Sequence, residues 1–175
     1  MNHCTWLAIA VIALITRSGL ALELGNPLDT PLGRQYAAEI ELLTVAPKLL
    51  PSSCSLVREV KTALILPATT NPFVTHDSAL IRFVSLIGFG SDAMSDVTTA
   101  AIGVLYYDSK PQHEVGVWAL RFKDGEAASR FRGLVSAQDV FVRGSIAATV
   151  WRDDEVGRAC QSAIEGQLLK NGFAR

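Results

Sequence analysis

Apolar and polar positions change their spacing several times along the chain, and each change marks an element. The first stretch, Trp6 to Thr16, is almost continuously apolar and ends at Arg17-Ser18-Gly19-Leu20-Ala21. It is shorter than the roughly 20 residues a membrane-crossing helix needs. Gly19-Leu20-Ala21 supplies the small-x-small pattern of a signal-peptidase site, so residues 1–21 read as a secretory signal peptide cut after Ala21. Met1 to Thr5 carries no Lys or Arg, which is atypical; an uncleaved anchor and, after it, a buried N-terminal helix are the alternatives. Cys4 precedes the apolar run, so it does not stand where a lipoprotein cysteine would.

Prolines punctuate the next fifty residues, at Pro27, Pro31, Pro47, Pro51, Pro67 and Pro72, with only Pro111 later. Each lacks a backbone donor and restricts the residue before it. Leu22 to Thr75 is therefore expected to be largely extended or irregular and to wrap over the domain. Within it, Tyr36, Ile40 and Leu43 share a face and predict a short helix over Gly33 to Leu43. Leu56 to Leu66 predicts one or two short strands. Residues 22–50 are read as a Pro-containing, partly irregular N-terminal segment, and 51–175 as a single α+β domain.

From His76 the pattern sharpens. Ser78, Arg82 and Ser85 fall four and three residues apart in an otherwise apolar stretch, which predicts a helix over Asp77 to Ile87. Thr75 or Asp77 would cap its start, and Gly88 would end it in the left-handed conformation. Val97 to Tyr107 and Glu114 to Phe122, joined by Asp108-Ser109-Lys110-Pro111-Gln112, predict an antiparallel hairpin. Glu126 to Val135 predicts a helix with Ala127, Ala128, Phe131, Leu134 and Val135 inward. A second hairpin is expected from Val140 to Val142 and Ser145 to Trp151, turning at Arg143-Gly144. Asp153-Asp154-Glu155 opens a last helix that runs to Lys170 with Val156, Cys160, Ala163, Ile164 and Leu168 inward. The elements sum to an α+β, two-layer fold. Its antiparallel sheet comes from two hairpins (about 97–122 and 140–151), and its helices (about 77–87, 126–135, 154–170) pack mainly on one face.

Removing the 21-residue leader from 175 leaves 154, an ordinary size for one domain. Taking Arg17 from the 16 basic residues leaves 15 against 17 acidic ones, a net charge of −2. That balance favours neither a nucleic-acid backbone nor an anionic membrane. Membrane contact would come only through an uncleaved leader. The expected partner is a protein or small-molecule ligand of unknown identity.

Candidate chemistry is sparse. After cleavage Cys54 and Cys160 are the only cysteines, and an even pair in an exported chain predicts a disulfide spanning 106 residues. Two separate buried thiols are the alternative, and with no C-x-x-C a redox dithiol is not indicated. His76 beside Asp77, or His113 beside Glu114, could act as a general base with its carboxylate. Neighbours on a strand point to opposite faces, which weakens the second pair. The plainer reading is surface histidines at element ends. Cys54, Cys160, His76 and His113 lack the short ligand spacing of a zinc site, so no metal or cofactor is expected. Asp92, Asp96 and Asp153-Asp154-Glu155 could attract a cation, but the helix dipole accounts for the last three. Gly88-Phe89-Gly90-Ser91-Asp92 follows a helix and lacks the lysine of a phosphate loop. Trp118 and Trp151 fall on strands. They would form a surface-binding patch if they shared the face away from the helices, and core if they pointed inward.

These features predict an exported, periplasmic or extracellular domain that binds something or supports an envelope assembly without catalysis. The alternative is a small secreted hydrolase using His76 or His113 as general base.

Overall fold

A computed structural model describes residues 22–60, 68–92, 97–109, 113–135 and 139–175. The expected leader lies outside these residues, as do Asp96, the turn residues 110–112 and the second half of the 56–66 strand reading. In chain order the elements are β1 (Leu22–Glu23), α1 (Pro31–Gln35), α2 (Ala37–Leu43), β2 (Cys54–Leu56), β3 (Glu59–Val60), β4 (Phe73–Thr75), α3 (Ser78–Phe89), β5 (Thr98–Asp108), β6 (Glu114–Phe122), α4 (Gly125–Leu134), β7 (Phe141–Arg143), β8 (Ile146–Arg152) and α5 (Arg158–Lys170).

The fold is α+β, as expected, around one six-stranded antiparallel sheet. Its order is β2-β5-β6-β8-β7, and β4 lies beside β2 on the same edge of β5. β2 pairs with Tyr106 to Asp108 and β4 with Ala101 to Gly103. Asn71 closes the gap between them. Its Nδ2 donates to the carbonyls of Leu105 and Val57 at 2.8 and 2.9 Å, and its Oδ1 accepts from the Leu105 amide at 2.9 Å. One side chain thus stands in for a missing stretch of strand, which is why a polar residue only 1% exposed is tolerated there.

Helices cover both faces of the sheet, where the periodicity had placed them mainly on one. On one face α3 and α4 bring Ile81, Val84, Phe89, Ala127, Ala128 and Phe131 against Trp118, Leu120, Phe122 and Ala147. On the other, α2 and α5 bring Ile40, Leu43, Cys160, Ile164 and Leu168 against Ile102, Val104, Val117 and Ala148. The central strands carry the physical reason. Every residue from Ala100 to Tyr106 and from Val115 to Leu120 is buried, so neither strand needs a polar face.

Residues 22–50 are less irregular than expected. Tyr36, Ile40, Leu43 and Val45 join the core that α5 covers, and the Val45 amide donates to the buried Tyr106 hydroxyl at 2.9 Å. The predicted helix over Gly33 to Leu43 is two, α1 and α2, broken at Tyr36, whose φ of −108° and ψ of 24° leave the helical region.

Several boundaries move. Asp77 caps α3 by accepting from the Leu80 amide at 2.9 Å, but the helix ends at Gly90, with φ of 70°, and not at Gly88. Gly88 stays inside the helix, close against the Trp118 side chain. The second hairpin turns at Gly144-Ser145, since Arg143 pairs with Ile146, and Gly144 takes the positive φ. Leu134 and Val156, expected inward, are exposed.

Candidate functional site

Ionisable side chains collect where β5, β6 and β8 end together. Cys54 stands opposite Asp108, the Asp108 amide donates to the His113 carbonyl at 3.0 Å, and the Asp153 amide donates to the Glu114 carbonyl at 3.0 Å. Strand alternation from these pairs puts Cys54, Asp108, His113 and Asp154 in one row on the α5 face. The row is closed at one end by the Cys54–Cys160 disulfide, which ties β2 to α5 across 106 residues with Cα atoms 5.6 Å apart. The expected pairing of these cysteines is therefore present.

His113 is half-buried, and its Nδ1 is hydrogen-bonded to Asp154 Oδ2. Asp154 also accepts from the Val156 and Gly157 amides, at 2.8 and 3.4 Å, and so starts the turn into α5. Partial desolvation works against the charged Asp154 carboxylate, but the His113 and amide hydrogen bonds outweigh it and hold its pKa below the usual range. Asp153 completes the group, and one ligand atom from each of His113, Asp153 and Asp154 lies within 4.8 Å of the others. Across the edge, burial and then the Asp153 charge push the Glu114 carboxyl up. Burial and then Glu114 push the Tyr107 hydroxyl up.

The sequence pairing of His113 with Glu114 is replaced by His113 with Asp154, 41 residues away. Strand neighbours point apart, whereas the β6–β8 register continues past Arg152 and brings Asp154 level with His113. Asp108 carries no signal in the sequence that marks it out. It is 2% exposed; its Oδ1 accepts from the Ser109 hydroxyl at 3.1 Å, and its Oδ2 has no hydrogen-bond partner among the described residues. Ser109 adopts φ of 64° at the hairpin end, unusual for a residue with a side chain.

The other candidates go elsewhere. His76 Nε2 meets the Tyr36 hydroxyl at 2.9 Å, while Asp77 Oδ1 caps α3 by accepting from the Leu80 amide. Asp92 forms a surface ion pair with Arg82 at 2.8 Å. Trp118 and Trp151 do share a face, but it is the face beneath α3. The indoles stack at 5.5 Å and 12°. Trp118 is 6% exposed, covered by α3 at Gly88 and by Phe73, so it offers no surface for binding. Trp151 is half-buried.

A separate groove of about 260 Å³ runs between β4 and the α1 region, lined by Pro27, Thr30, Leu32, Thr69, Thr70, Phe73, Thr75 and Leu80 among others. Its lining presents hydroxyls, backbone groups and apolar side chains, and none of these lining residues ionises near neutral pH. Among the described residues, no helix is long and apolar enough to cross a membrane. Compared with family models, curated proteins and solved structures, the chain matches none.

Proposed function

We propose that the chain works in the periplasm or outside the cell as a non-enzymatic domain that binds a ligand or an envelope partner. The Cys54–Cys160 disulfide supports the oxidising address, because such bonds persist where thiols are not continually reduced. The groove beside β4 carries the binding part of the reading. It is concave, it mixes apolar and hydroxyl groups, and its lining lacks acids and bases. A neutral or weakly polar ligand fits such a lining best.

Amide chemical shifts of the oxidised protein, titrated with a panel of small neutral ligands and short peptides, test this. Saturable shifts confined to Thr30, Thr69 to Val74 and Leu80, and lost in Thr69→Trp, are expected. Turnover of an ester, phosphoester or glycoside panel that disappears in His113→Gln would replace binding with catalysis.

One contact favours that rival hydrolase reading. Asp154 holds His113 through Nδ1, as an orienting carboxylate holds a general base. The nearby Ser109 hydroxyl, however, donates to Asp108 and not to His113.

A further inference from the structure

We infer that His113, Asp153 and Asp154 bind a borderline divalent cation such as Zn²⁺, linking the β5–β6 hairpin end to the start of α5. The three side chains come from two separated stretches of chain, yet one donor atom from each lies within 4.8 Å of the others. Small rotamer changes close that spacing onto an ion whose ligands each sit at about 2.0–2.2 Å. One imidazole nitrogen with two carboxylates suits zinc or manganese better than calcium or magnesium, which prefer all-oxygen shells. On binding, His113 and Asp154 give up the hydrogen bond between them: the neutral ring carries its proton on Nε2, which leaves the Nδ1 lone pair and the Asp154 carboxylate free to turn to the metal.

A second observation is independent of that cluster. Asp108 is 2% exposed, and its Oδ2 lacks a hydrogen-bond partner among the described residues. A buried carboxylate oxygen in that state needs a cation or a donor. Strand register sets Asp108 directly across from His113 on the same face, so its unused oxygen lies on the side of the strand ends that His113 and Asp154 share. Arg152, a cation on that face, gives its two terminal nitrogens to Gln161 and Glu155, and its buried Nε also lacks a partner among the described residues. The site is separate from the groove beside β4, and either can exist without the other.

The test is calorimetric titration of ZnCl₂ into tag-free, chelator-treated protein with its disulfide intact, paired with imidazole NMR of both histidines. One equivalent bound at micromolar Kd is expected, with the His113 ring signals shifting and those of His76 unmoved. Asp153→Asn, which removes a ligand without touching the Asp154 cap, and His113→Gln should each weaken binding by roughly 10-fold or more. Asp108→Asn should weaken it by less. No binding at millimolar Zn²⁺, or binding that survives both Asp153→Asn and His113→Gln unchanged, overturns the inference.

Discussion

Trp118 stands directly opposite Gly103 in the β5–β6 register, and its ring covers the space a side chain there would need. One strand over, Trp151 does the same to Gly116. The two indoles then stack on each other beneath α3. A Cβ at Gly103 would come within 2.0 Å of Phe73 Cε1 and 2.7 Å of Trp118 Cζ3. Gly103→Ala should therefore cost about 2–3 kcal/mol through overpacking, read as a lower urea midpoint. Gly116→Ala, with its Cβ 2.6 Å from Trp151 Nε1, should act in the same direction. Near-ultraviolet circular dichroism should change with it, because the stacked pair is displaced.

Asn71 predicts a loss of similar size by a different route. Asn71→Ala removes three hydrogen bonds and leaves the Leu105 amide and the Val57 carbonyl short of partners in a buried setting. Each unsatisfied buried group costs about 1–3 kcal/mol, so a total of roughly 3 kcal/mol is expected by urea unfolding. A loss below about 1 kcal/mol would mean that water or a shifted strand fills the gap.

Tyr106 sets an alkaline limit. Burial pushes its hydroxyl up to about 12, and the Val45 amide offsets only part of that. A phenol whose folded pKa is raised contributes stability that is intact below the unfolded value near 10 and lost as pH rises toward the folded value. Stability should thus fall between about pH 10 and pH 12, the range set by Tyr106. Ultraviolet titration should show at least one tyrosine ionising only near the top of that window. Tyr106→Phe should remove the late titration and cost about 1–2 kcal/mol, since the Val45 amide loses its acceptor.

Local signals in the chain were legible where they matched one element. The β5–β6 hairpin, the Asp77 cap and the stripe of Tyr36, Ile40 and Leu43 all follow from spacing and turn chemistry. The covering of both sheet faces was present in the unbroken apolar runs of β5 and β6, which do not alternate. Opposed strand glycines and tryptophans, Gly103 with Trp118 and Gly116 with Trp151, were a further signal that the indoles face inward. Gly88 and Gly90 offered two stops for α3, and Gly90, which takes the left-handed φ, is the one used.

The row Asp108, His113, Asp154 was not legible, because it depends on two registers at once. Strand β5 must meet β6, and β6 must meet β8, without a slip, before three distant residues line up. Side-chain alternation alone argued correctly against His113 with Glu114 but could not name the partner across the sheet.

The Cys54–Cys160 bond closes a loop of about 106 residues, and chain entropy assigns such a loop up to about 4.7 kcal/mol. Reduction, or Cys54→Ala with Cys160→Ala, should lower the urea midpoint by a large share of the protein's stability. If stability were unchanged, the bond would have no part in holding residues 51–60 to α5.

Export into an oxidising compartment is the claim on which the address and the proposed role both rest, and non-reducing mass spectrometry of protein from an exporting cell tests it most directly. The expected result is a mature chain beginning at Leu22, with peptides containing Cys54 and Cys160 joined. Recovery from the cytosol of a chain still beginning at Met1, with both thiols free, would contradict it.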